Sequence, residues 1–97
     1  MEQAMTQNVE LFGPPKNFAV VQMVGRNFPG VVVQGDTLHS LVKQLLEMQN
    51  LLKIGDLEEL AGEIESMREE LAEALCNYEI VCLERNIELP YSQKHNG

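Results

Sequence analysis

The chain has 97 residues, enough for one domain with one small hydrophobic core. Hydrophobic residues make up 44 %, with no Trp and a formal net charge of −8. Only seven Lys and Arg are present, scattered along the chain, which argues against nucleic acid and anionic membranes as partners, since both need clustered bases.

Residues 1–16 read as a flexible lead-in. Met1 to Asn8 is mostly polar and holds no basic segment followed by an apolar run, so no signal peptide is expected. Val9, Leu11 and Phe12 are apolar and suited to docking on the domain; Gly13-Pro14-Pro15 then breaks regular structure. No apolar stretch approaches the ~20 residues of a membrane span, and a cytoplasmic location is expected.

Asn17 to Met23 (NFAVVQM) predicts a first strand, and Val24 to Pro29 supplies turn chemistry through Gly25 and Pro29. Val31, Val32 and Val33 are β-branched and predict a second strand. Three in a row, without alternation, predict cover on both faces. The pair reads as a two-stranded antiparallel hairpin. Gln34-Gly35-Asp36 ends it, with Gly35 able to take a conformation closed to other residues. Asp36, with Thr37 as the rival, is the expected N-cap of the next helix.

Helix one is predicted from about Thr37 to Lys53. Leu38, Leu41, Val42, Leu45, Met48 and Leu52 recur at three- and four-residue steps and form one apolar face, widened by Leu46 and Leu51. Gly55 stands where a left-handed residue past the helix end is expected. Asp56 and Glu59 have the spacing of a capping box, so helix two follows at once and runs to about Arg85. Asn86 suits a left-handed end, and Pro90 blocks a restart. Such a helix would be ~45 Å long against a gyration radius of ~13 Å for a domain this size, so it must kink or extend past the hairpin.

Helix two is heptad-like, with Leu57, Leu60, Ile64, Met67, Leu71, Ala74, Tyr78 and Val81 in alternating steps. The short link at Gly55 predicts an antiparallel helical hairpin. Beyond Leu75 the helix is apolar nearly all round and needs cover from the hairpin or from another subunit. The expected architecture is therefore α+β: a β-hairpin, then a helical hairpin with a long second helix. It forms a single ββαα domain over residues 17–91, followed by a disordered tail at 92–97. A homodimer or higher oligomer is expected, because a two-stranded hairpin is marginal alone.

Chemistry is sparse. Cys76 and Cys82 are six apart on one predicted helix, too constrained for a disulfide, and read as buried free thiols. No His, Cys or carboxylate cluster has metal-ligand spacing, and no phosphate-loop or nucleophile motif occurs. No catalytic residue, metal or cofactor is expected. Two candidate surfaces stand out. Arg26, Asn27, Phe28, Gln34, Asp36 and Thr37 lie around one turn and one helix start and could hold a small anionic ligand. Residues 56–73 hold eight acids against one base, Arg68, which accounts for −7 of the net −8. Glu63, Glu69 and Glu70 mark this as a candidate face for a basic protein, weighed against a merely solvated helix face.

The segment FPGVVVQGDTLHSLVKQLLEM resembles the strand–turn–helix core of HicB-type antitoxins, in its Pro29-Gly30 and in Gly35-Asp36-Thr37. The closing NIELPY, Asn86 to Tyr91, resembles the extended end of that domain. The long second helix departs from the pattern, and the antitoxins' DNA-binding segment is not found among these residues. A closer resemblance, from Arg26 to Tyr91, is to a family of small uncharacterised bacterial proteins that pair RNFPGVVVQGDTL with the NIELPY close. The uncharacterised family carries no activity and supports the fold more than the function. The favoured role is a non-enzymatic binding protein of inhibitor, immunity or antitoxin type that neutralises a partner protein. The alternative is a protein that sequesters a small nucleotide-like signal at a subunit interface, as in a phage anti-defence role.

Overall fold

The computed structural model describes residues 4, 7–13 and 17–91; the expected disordered tail at 92–97 and part of the lead-in lie outside them. The element order is β1 (Glu10–Phe12), β2 (Phe18–Gln22), β3 (Gly30–Val33), α1 (Gly35–Ile54) and α2 (Leu57–Glu84). The chain divides into two compact units, Met1–Val32 with Tyr78–Gly97, and Val33–Asn77.

The first unit carries the one correction to the α+β expectation. The sheet has three strands in the order β1-β2-β3, not two. The added strand falls within the supposed lead-in. β1 pairs antiparallel with β2, with Leu11 opposite Val21 and Phe12 opposite Val20. Alternation turns Phe12 inward to join Val20, Tyr78 and Cys82 in the buried cluster, with Val81, Ile87 and Leu89 packed against it. The Arg85 guanidinium lies 4.0 Å from the Phe12 ring centroid, a cation–π contact over the strand's one inward side chain. Adding β1 moves β2 to the centre and leaves β3 on an edge. Val31, Val32 and Val33 are exposed, against the expected cover on both faces: a Val run without alternation fits a strand but does not say what packs on its faces.

The helix ends follow local chemistry. Gly55 has φ +79° and closes α1: its N–H bonds Leu52 O at 3.2 Å, and the Asp56 N–H bonds Leu51 O at 3.0 Å. This is the paired-bond left-handed terminus. Asp56 then caps α2, its Oδ1 accepting from the Glu59 N–H at 3.2 Å. Asn86, φ +57°, repeats the device at the end of α2, with Asn86 N–H to Leu83 O at 3.2 Å and Ile87 N–H to Cys82 O at 2.8 Å. The start of α1 differs from expectation. Gln34 is the N-cap and makes no side-chain cap bond, while Gly35 is the first helical residue, without positive φ. Asp36 sits inside the first turn, its Oδ1 accepting from the Thr37 N–H at 2.9 Å. A carboxylate there still meets the positive end of the helix dipole.

Within the second unit, α1 and the first part of α2 form the expected helical hairpin. Leu51 is buried, and Leu41, Gln44, Met48, Leu60, Glu63, Met67 and Ala74 are half-buried, marking the seam. The predicted α1 face is only partly used: Leu38, Val42, Leu45 and Leu52 remain exposed. One neighbouring helix covers a narrow stripe, whereas this apolar face is wider. The cysteines also differ from expectation in part: both are free, but only Cys82 is buried and Cys76 is exposed.

Candidate functional site

The loop between β2 and β3 is held at both ends. Gly25, with φ +81°, occupies the third position of a turn closed by the Arg26 N–H and Met23 O at 3.3 Å, where a positive φ is required. The Gln22 amide donates to Arg26 O at 2.7 Å and Met23 O at 3.2 Å, clamping the turn from the strand end. At the far end, the buried Tyr78 hydroxyl donates to Pro29 O at 2.9 Å. Burial pushes the Tyr78 phenol above its ordinary range, so it stays a donor.

This loop walls an open concavity of about 800 Å³, with Met23, Arg26, Asn27, Phe28, Gly30 and Pro90 among its lining residues. It offers a planar cation, an amide and an aromatic ring. Those groups suit a flat or anionic ligand. Of the six residues expected in a ligand site, the structure brings together Arg26, Asn27 and Phe28. Gln34, Asp36 and Thr37 stand at the start of α1 and are not in this lining; Thr37 is buried and Asp36 is engaged with its backbone. Among the described residues no group of three metal-ligating side chains gathers.

The three acids of the expected partner face separate. Glu63 is turned to the hairpin seam, where the Gln44 amide donates to its Oε2 and to its backbone O, both at 3.2 Å. Seven residues on, Glu70 is exposed, as is Glu69. Arg68 bonds Glu65 through Nε at 3.0 Å, and this contact holds the Glu65 carboxyl below the usual carboxylate range. Around the helix at ~100° per residue, Glu58, Glu65, Glu69 and Glu73 fall on one outward side of α2.

A feature not singled out from sequence lies on the helical hairpin. Val42, Leu45, Leu46 and Leu52 of α1 and Leu60 and Ile64 of α2 line one open apolar groove. The signal was present in the doublets Leu45-Leu46 and Leu51-Leu52, which give α1 two apolar stripes where one seam needs only one.

Residues 4–91 match the model of a family of unknown function, DUF6959, and the chain belongs to that family, in keeping with the expected uncharacterised domain family. No curated protein and no solved structure matches it. No helix among the described residues is long and apolar enough to cross a membrane.

Proposed function

From a chain whose family carries no assigned activity, we propose a non-catalytic binding protein of the inhibitor or immunity type, which neutralises a basic partner protein. The observation that supports this reading is the outward side of α2. Glu58, Glu65, Glu69 and Glu73 are all exposed there, flanked by the exposed Glu59 and Glu70, and Arg68 is the one base among them. Acids so placed contribute little to the fold but accelerate encounter with a positive surface. The test is capture from lysate with the parent and with E65K/E69K/E73K at low and high salt. A protein held by the parent, lost by the variant and weakened by salt supports the reading. Equal retention by both forms sinks it.

The loop concavity favours a second reading, a small anionic ligand held by Arg26. Among the described residues Arg26 makes no ion pair, and Phe28 shares the lining with it. Under this reading Arg26→Ala abolishes binding while the acidic variant binds as well as the parent.

A further inference from the structure

The open groove on the helical hairpin has a definite chemistry. On α1 the stripe Leu38, Val42, Leu45 and Leu52 keeps the three- and four-residue steps of a helix seam, interrupted only at Gln49. On α2 the stripe is Leu57, Ile64, Leu71 and Leu75, with Ala61 and Arg68 at the intervening positions. These eight side chains are between 43 % and 64 % exposed. At ~100° per residue each stripe lies roughly a quarter turn from its helix's half of the seam. For antiparallel helices that rotation brings both stripes to the same side, as the shared lining of the groove by Val42, Leu45 and Ile64 bears out.

We infer that this groove is the interface with a second copy of the chain, the two helical hairpins closing into a four-helix bundle. Three observations select this occupant. The first is area. At ~25 cal/mol per Å², burying one aliphatic side chain removes about 60–120 Å², so eight half-exposed ones offer on the order of 250–500 Å² per copy. A standard interface takes about 800 Å² from each partner, a little over half of it apolar. The second is charge. No acid of α2 lies within the stripe, so the groove does not select a basic partner and two copies can meet there despite a net charge of −8 each. Its rim carries Lys53 on α1 and Glu58 and Glu65 on α2, an opposite-sign pairing when each α1 lies beside the partner's α2. The third is shape. A two-fold axis sets like surfaces against each other, and a hairpin with both helices apolar on one side is complementary to itself.

Equilibrium sedimentation of the full chain tests this. The parent should give twice 10.9 kDa, and its melting temperature should rise with protein concentration, as it does for a linked dimer. V42K/I64K should sediment as a monomer. L83K, altered at an exposed position outside the groove, and E69K/E73K, on the outward side of α2, should stay dimeric. If the lysine pair also unfolds the hairpin, Ile64→Ala is the milder probe and should raise the dimer dissociation constant at least tenfold. A monomeric parent, a melting temperature independent of concentration, or a dimer untouched by Ile64→Ala would overturn the inference. These outcomes do not bear on the acidic face, which the capture experiment tests separately.

Discussion

Tyr78 and Pro29, 49 residues apart, are joined by a buried hydrogen bond of 2.9 Å from the phenol to the prolyl carbonyl. The bond fixes the end of the β2–β3 loop to the part of α2 that carries the core cluster. Tyr78 also packs with Phe12, Val20 and Cys82, so its ring and its hydroxyl do separable things.

Tyr78→Phe should therefore keep the packing and strand one acceptor. Leaving a buried carbonyl without a partner costs ~1–3 kcal/mol. The urea midpoint should fall with the slope unchanged, and proteolysis should first cut within the 23–30 loop. Tyr78→Ala should cost more, ~3–5 kcal/mol, because it also opens the core. An unchanged midpoint in the Phe variant would show that the hydroxyl bond carries no net stability.

Local chemistry made both helices, the hinge between them and their C-terminal ends readable. Gly55, Asp56 and Asn86 each act within five residues of their own position. β1 was not readable, because three residues ahead of Gly13-Pro14-Pro15 carry too little pattern, and Phe12 is buried by contacts reaching to Tyr78 and Cys82. Val31–Val33 misled for a related reason: a Val run states a strand, but whether its faces are covered is set by what packs on them from elsewhere in the chain. Of the candidate site, the Arg26–Phe28 turn was legible as loop chemistry. The split of Glu63 from Glu69 and Glu70 was not, since it depends on where Gln44 falls across the hairpin.

Tyr91 gives a pH prediction. Partial desolvation first, then its 2.9 Å bond to the Glu79 carboxylate, pushes the phenol of the otherwise exposed Tyr91 up from 10 to about 12. A raised pKa in the folded state means the fold favours the neutral phenol. Its contribution is whole below the unfolded value of 10 and is lost as pH rises through about 12. Tyr78 shifts the same way. Native protein should therefore show little phenolate absorbance at pH 10, while denatured protein shows both tyrosines half ionised there. Tyr91→Phe should leave the single remaining tyrosine still titrating above 10. Normal titration of both in the native state would refute the burial of the Tyr78 hydroxyl and the bond of Tyr91 to Glu79.

The two helix ends give the last prediction, because the same backbone device is built from different residues. Gly55, at φ +79°, has nothing within 4 Å of where a Cβ would stand. Any cost of Gly55→Ala is thus conformational, not steric crowding by neighbours, and should be ~1 kcal/mol. Asn86, at φ +57°, already bears that cost in part. Asn86→Gly should relieve the strain and stabilise by up to ~1 kcal/mol, less the greater freedom glycine gives the unfolded chain. Asn86→Val should destabilise by more than Gly55→Ala, since a β-branched residue is poorest in the left-handed region. The order of denaturant midpoints, N86G at or above parent, then G55A, then N86V, is the expected result. If N86V matched the parent, α2 would have to end by some other route than the bonds to Cys82 and Leu83.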